Sequence, residues 1–326
     1  MRVRYGCFVL GAGLAMACTA LVAQDYPHKP IRILVAFPPG GPTDIIARTF
    51  AQRITDNWGQ QVVVDNRAGG NGIVGQEVAA RATPDGHNIL VQSVSFAVNP
   101  SLYKVPYDSD RDFIPVKITH YTSLLLVSNP SLPAKTVREL IDYAKTKPGQ
   151  LNFSSPGIGS SNHLAGELLN IMTGIKLVHV AYKGVPQALT DVLSGQMQLM
   201  LPGIPPALPH VKTGRIRALA VTMKSRTPLA PDVPTMIEGG VPGYEWSTWF
   251  GVFLPGRTPA PIVKKLHGEI TRILNLPEVR MQFDTQGFDP ATPELLASTP
   301  EDFRRIIKAD TEKFAKIIKQ VGVKVE

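Results

Sequence analysis

The chain has 326 residues, 44% of them hydrophobic, with only two cysteines and a formal net charge of +8. That length accommodates one large domain or two ordinary ones, each with its own core. The basic surplus is spread along the chain without a Lys/Arg-rich stretch interleaved with aromatics, which argues against nucleic acid as a partner.

Arg2 and Arg4 precede an uncharged run from Tyr5 to Ala23, and the first acidic residue is Asp25. A short positive segment, an apolar stretch and small residues at its end predict a secretory signal peptide over residues 1–23 and a periplasmic mature protein. The stretch "CTALVAQDYP" places the cut after Ala23 or Ala20. An imperfect lipobox, "LAMAC" around Cys18, leaves a lipoprotein as an alternative, and the run is almost long enough for a retained anchor. Cys7 and Cys18 both fall in this segment, so a chain starting at Gln24 has no disulfide, no thiolate nucleophile and no thiolate metal ligand. Losing Arg2 and Arg4 takes the formal charge from +8 to +6. Beyond residue 23 no uninterrupted apolar run is long enough to cross a membrane.

Apolar runs then alternate with segments of helical periodicity, the pattern of an α/β architecture. Strands are expected at 31–37, 61–65 and 88–92, with helices at 43–57 and 72–83 between them. The second half repeats the plan, with strands at 151–154, 177–181, 197–201 and 216–222 and helices at 161–173, 185–194 and 205–213. Segments 123–130 and 246–255 read as crossings between the halves, after which helices at 260–275, 277–286 and 300–321 pack back on the first half. The expected molecule has two α/β lobes around a cleft. Residues 24–124 plus 247–326 form the first lobe, and 125–246 form the second as an insertion.

Open α/β sheets bind ligands beyond the carboxyl ends of their strands. In "FPPGGPTDIIAR", residues 37–48, a strand runs through a Pro/Gly turn into a helix start, and "NFSSPGIGSSNHLAGELL", residues 152–169, copies the arrangement. The two turns offer neutral donors: backbone N–H of Gly40, Gly41, Gly157 and Gly159, and hydroxyls of Thr43, Ser155, Ser160 and Ser161. Neither turn contains Lys or Arg, and such a set suits a carboxylate held by helix N-termini, hydroxyls or ordered water. Asp44, in the first helical turn, reads as a cap that complements the dipole, with contact to a water, hydroxyl or ammonium group as the alternative. Gly41 is expected to bring the backbone against the ligand with a positive φ.

Other chemistries fit less well. "GGNGIVG" holds a literal G-x-G-x-x-G at Gly70, Gly72 and Gly75, but it starts several residues after its strand and no acidic residue ends the next one. The opening turn lacks the Gly-Lys-Ser/Thr ending of a triphosphate loop. His163 stands two residues after Ser161, whereas a Ser–His dyad usually joins distant segments. His163 and Glu167 share a helix face, yet no further His or Cys is clustered near them for a metal. Asp44 with Asp191 or Glu167 is a conceivable carboxylate pair whose separation the sequence does not give.

The motifs "YPHKPIRILVAFPPGGPTDIIAR", "VVVDNRAGGNGIVG", "ATPDGHNIL", "NPSLYKVPYD", "LNFSSPGIGSSNHLAGELL", "VHVAYKGVPQALTDVLSGQ", "ALPHVKTGRIRALAVT" and "PDVPTMIEGGVPGYE" resemble the Bug family, the extracytoplasmic receptors of tripartite tricarboxylate transporters. The resemblance implies a type II periplasmic binding protein fold closing on a small carboxylate, no catalysis, no cofactor or metal, and a membrane permease of one large and one small subunit. A monomer is expected. Carried over by position, the first-lobe site is Phe37, Gly40, Gly41, Thr43 and Asp44 with Ser93 and Ser95. The second-lobe site is Ser155, Gly157, Ser160, Ser161 and His163, with Tyr182, Gly184 and Gly203. Two departures stand out: Pro42 removes an N–H donor, and "MLPGIPP" makes the strand end near Gly203 more apolar. The expected function is solute capture for the permease. The rivals are a receptor domain feeding a sensor kinase and an exported hydrolase using Ser160 or Ser161.

Overall fold

The computed structural model describes residues 26–289 and 291–322, so the expected signal peptide and both cysteines lie outside it. In chain order the first half forms β1 (Ile31–Val35), α1 (Pro42–Trp58), β2 (Val62–Asn66), α2 (Ile73–Ala80), β3 (Asn88–Ser93), α3 (Ser95–Leu102) and β4 (Phe113–Ser123). The middle of the chain forms β5 (Leu125–Ser128), α4 (Val137–Thr146), β6 (Asn152–Ser155), α5 (Ser161–Thr173), β7 (Val178–Ala181), α6 (Val185–Ser194), β8 (Leu199–Met200), α7 (Ile204–Lys212) and β9 (Arg217–Val221). The chain then returns through β10 (Ser247–Pro255) and ends in α8 (Ala260–Asn275), α9 (Pro277–Gln286), α10 (Pro293–Ala297) and α11 (Pro300–Val321).

These strands build two five-stranded sheets of the same plan, ordered β2-β1-β3-β10-β4 and β7-β6-β8-β5-β9. In each, the first three strands are parallel and the fourth runs antiparallel to its neighbours. That fourth strand has always just crossed from the other sheet: β4 passes through Leu124 into β5, and β9 leads through residues 222–246 into β10. Side chains alternate across a strand, so one sheet has two apolar faces to cover. Ile33, Val35, Ile89, Val91, Phe250 and Val252 face α1, α8 and α9, packing on Ile46, Phe50, Ile270 and Phe283. Leu34, Leu90 and Phe253 face the opposite way, toward Phe96 of α3 and Phe303 of α11.

Four elements occupy stretches without a sequence expectation: α3, β4, α4 and α10. Strand β4 carries a buried Lys117 and His120, whose polarity hides the apolar run. The Lys117 ammonium donates to the carbonyls of Leu296 and Ser298, both at 2.7 Å, and burial pushes its pKa down to about 8. His120 packs against Phe283 and Phe288, and burial takes its pKa down to about 3.

Thr222 ties the two crossings together. Its hydroxyl accepts from Leu124 N at 2.9 Å and donates to Trp246 O at 2.8 Å, while its own N–H reaches Leu124 O at 3.0 Å. The sheets also touch away from the crossings. Tyr103, just past α3, donates its hydroxyl to Ile158 O at 2.7 Å, and Leu102 packs so closely on Gly159 that a side chain there would collide with it, at a φ of +75° that itself favours glycine.

The turn after β1 is held by one carboxylate. Gly41, the residue capping α1, makes no side-chain cap. Instead Asp44 accepts from Gly40 N at 3.0 Å, Arg48 Nε at 2.8 Å and Asn66 Nδ2 at 2.9 Å, and Asn66 also donates to Phe37 O. Burial pushes the Asp44 pKa up, but these hydrogen bonds and the Arg48 charge outweigh it and hold the carboxyl below its ordinary value. Asp44→Asn should therefore cost roughly 1.5–3 kcal/mol at pH 7, the range for hydrogen bonds to a charged group. A depressed folded-state pKa adds stability that is complete above the unfolded value of 3.8 and lost as pH falls through the folded one. Urea midpoints of wild type and Asp44→Asn should differ at neutral pH and converge below the carboxylate range; a gap that persists there would remove the carboxylate from this role.

Candidate functional site

One cavity lies where the two sheets face each other. Phe37, Pro38, Gly41, Pro42, Thr43, Ser93, Ser95, Thr122, Thr248 and Phe250 line it from the first-sheet side. Leu124, Pro156, Ser160, Ser161, Asn162, Val185, Pro186 and Gly203 line it from the second. No Asp, Glu, Lys, Arg or His is among these residues. The cavity leaves about 70 Å³ to the centre of a water-sized molecule. One ordered water needs roughly 10–15 Å³ on this measure, so the space suits several waters or a small organic molecule.

The electrostatics come from the backbone. Helices α1, α3, α5, α6 and α7 all begin at this wall, through Gly41–Thr43, Ser95, Ser160–Asn162, Val185–Pro186 and Gly203. A helix N-terminus carries N–H groups without intrahelical partners and the positive end of a dipole, although Pro205 and Pro206 leave α7 one such group in its first three residues and Ser95 N of α3 is bonded to Ser93 Oγ. The residues capping α1, α6 and α7 are Gly41, Gly184 and Gly203, none with a side-chain cap, so no protein side chain competes there for the N–H groups. Each of the three also has proline in its first turn, which thins the donors and makes the wall more apolar. Ser160 caps α5 by accepting from His163 N at 3.2 Å, which leaves its own proton free to donate. The Ser161 hydroxyl accepts from the Trp246 indole at 2.7 Å and bonds Thr248, so it joins the sheets beside the cavity.

Eight residues expected from the sequence stand in this wall: Phe37, Gly41, Thr43, Ser93, Ser95, Ser160, Ser161 and Gly203. The other seven stand behind it. Gly40 N is spent on Asp44, and Asp44 on its three partners. The Ser155 hydroxyl bonds His179 Nε2 at 2.6 Å and donates to Gly157 O at 2.9 Å. Burial, reinforced by the stacked His163 ring, takes the His179 pKa down to about 3, so the imidazole is neutral at ordinary pH. His163 Nδ1 accepts from Gly159 N at 3.0 Å and its Nε2 lies 3.6 Å from Glu167, so neither ring nitrogen is bonded to Ser160 or Ser161. Tyr182 donates its hydroxyl to Asp191 at 2.5 Å, and Gly184 packs against Pro38 of the other side. The positive φ belongs to Gly40 at +82°, while Gly41 is extended at φ −85°, because the chain reverses one residue before the helix begins.

The glycines of "GGNGIVG" do not line the cavity; Gly75 lets α2 approach Ala36 closely, and Gly72 packs on Gln92. Among the described residues no group of three His, Cys, Asp or Glu is placed to hold a metal. Sequence reasoning missed Thr122, Thr248 and Phe250, which come from the two crossing strands. Thr122 and Thr248 are direct partners in the β4–β10 ladder, a pairing that no local pattern announces. It also passed over Asn162, Pro38, Pro156 and Val185, although each adjoins a residue already singled out, and Pro186 one position further on.

A model of the tripartite tricarboxylate transporter family receptor matches residues 46–323. The chain is 36% identical over 324 residues to the protein BugT of Bordetella pertussis, covering 98% of this chain and 97% of the relative. Among solved structures, Rpa4515 of R. palustris with adipate has a TM-score of 0.87 at 32% identity, covering 92% of this chain and 99% of that one. MatC of Rhodopseudomonas palustris with bound malate has a TM-score of 0.82 at 30% identity, covering 90% and 100%. The two-sheet fold is thus that of the periplasmic binding proteins, and the chain belongs to the tripartite tricarboxylate transporter receptor family.

Proposed function

We propose that the protein is a periplasmic receptor that captures a small carboxylate between two lobes and delivers it to a tripartite tricarboxylate-type permease with a large and a small subunit. The observation that carries this reading is the convergence of five helix N-termini on a cavity with no charged side chain among the described residues. An anion is welcome there, and it is held by donors that do not neutralise it with a counter-ion. Related structures that contain adipate and malate support a carboxylate as that anion. The lobes we assign are residues 24–124 plus 247–326 and residues 125–246, hinged where β4 meets β5 and where Thr222 meets Trp246. We assign direct contact to the eight expected wall residues. Gly40, Asp44, Ser155, Gly157, His163, Tyr182 and Gly184 keep the wall in shape.

The first test is binding. A thermal-shift panel of carboxylates should show stabilisation by one or a few of them, about 2.7 kcal/mol at a hundredfold excess over the dissociation constant. For an acid so identified, affinity measured by isothermal titration should change little between low and high salt, because no mobile side-chain charge is screened. Lys183 is exposed, and Lys183→Ala should leave affinity unchanged. Ser160→Ala should weaken it by roughly 1.5–3 kcal/mol, the loss of a hydrogen bond to a charged group. Thr43→Val checks the same wall without touching the α5 cap. Response to NAD or ATP and to no carboxylate would overturn the reading. Steep salt dependence with a large Lys183→Ala loss would instead mean an ion-pair site.

The second test is export, motivated by Arg2, Arg4 and the apolar run that follows. Expressed in a bacterium, the protein should be recovered from the periplasm with its N-terminus cut near Ala20–Ala23. An intact mass that retains Met1–Ala20 excludes the cut, and a diacylglycerol adduct on Cys18 selects the lipoprotein.

A further inference from the structure

Among the described residues Asn162 is the one side-chain amide in the cavity wall, and it is 8% exposed. A single bond sets its orientation: Nδ2 donates to Leu201 O at 2.6 Å. A carbonyl takes only donors, so the opposite orientation of the amide would set two acceptors against each other. The oxygen is therefore fixed as the acceptor that remains. Oδ1 accepts no hydrogen bond from any described residue, yet it is not among the polar atoms sealed in the interior. The hydroxyls of the same wall differ in kind, since a Ser or Thr hydroxyl carries both a proton to donate and lone pairs to accept. Asn162 Oδ1 cannot donate. A carboxylate oxygen beside it would be repelled, whereas a donor there would complete an acceptor that is costly to leave unmade.

We propose that Asn162 is a specificity-determining residue, its amide oxygen accepting from a hydroxyl or amino group on the body of the bound carboxylate. The inference rests on the receptor reading and goes beyond it by naming a substituent. A site built to hydrogen-bond a substrate group discriminates strongly against the analogue that lacks it, because its own polar atom is then stranded.

Isothermal titration with three matched pairs tests this in the unmodified protein: L-malate and succinate, 3-hydroxybutyrate and butyrate, 4-hydroxybenzoate and benzoate. In any pair that binds, the hydroxylated acid should be tighter by about tenfold or more. In Asn162→Leu the ratio should fall to near one, through weakened binding of the hydroxylated member. If that variant does not fold, having lost its bond to Leu201, the wild-type ratio still decides. Equal affinities within every binding pair would show that water satisfies the oxygen, and the role of Asn162 would be gone while the receptor reading stood. An unchanged ratio in Asn162→Leu has the same meaning. Failure of all six acids overturns the proposal, and failure of a wider carboxylate panel as well overturns the receptor reading with it.

Discussion

The structure depends on bringing five helix starts to one wall whose described residues carry no charged side chain. Backbone N–H groups at five helix starts supply the field, and each must be aimed, because a partial charge at a helix end loses its effect beyond the first turn. Much of the surrounding chemistry does that aiming. Asp44 binds Gly40, Arg48 and Asn66, which locks the β1–α1 turn to β2. The neutral His179 holds Ser155, and His163 holds Gly159, which together shape the turn between β6 and α5. Charged and titratable groups are present near the cavity, but they stand one layer back, where they fix geometry and leave the wall neutral.

The crossings impose a second constraint. A two-sheet molecule of this plan needs strands that belong to both sheets in succession, and β4–β5 and β9–β10 meet that need at Leu124 and around Thr222. Because the crossings pass beside the cavity, they supply part of its wall in Thr122, Leu124, Thr248 and Phe250. The segments that join the sheets and one part of the cavity wall are therefore the same few residues. A hydrogen bond from Trp246, the residue before β10, to Ser161 at the start of α5 adds a further link between the sheets.

Local patterns carried most of the fold. Helices α5, α6, α8, α9 and α11 begin and end where amphipathic spacing and Gly or Pro boundaries place them. The elements without an expectation failed for different reasons. Strand β4 contains Lys117 and His120, whose partners lie on distant segments, so its burial is a tertiary fact. Helix α3 opens on serine and carries Pro100 inside. Helix α4 was readable: Thr136 three residues before Glu139, with Leu140, Ile141 and Ala144 on one face, is a capping and periodicity signal. The site divides in the same way. Residues on the strand–turn–helix motifs could be proposed from the chain, whereas Thr122 and Thr248 needed a strand register. Which donors point at the cavity and which are spent on neighbours, as with Ser155 and Tyr182, is a matter of rotamers that sequence does not encode locally.

The contacts of Tyr103 with Ile158 and of Leu102 with Gly159 join the sheets without passing through the cavity. On the receptor reading proposed above, they favour this arrangement of the sheets whatever the cavity holds. Apparent affinity equals intrinsic affinity scaled by the fraction of molecules already in the competent state. If the protein is the receptor proposed above, these contacts set a gain common to all solutes: altering them would move every dissociation constant by one shared factor and leave the order of preference untouched.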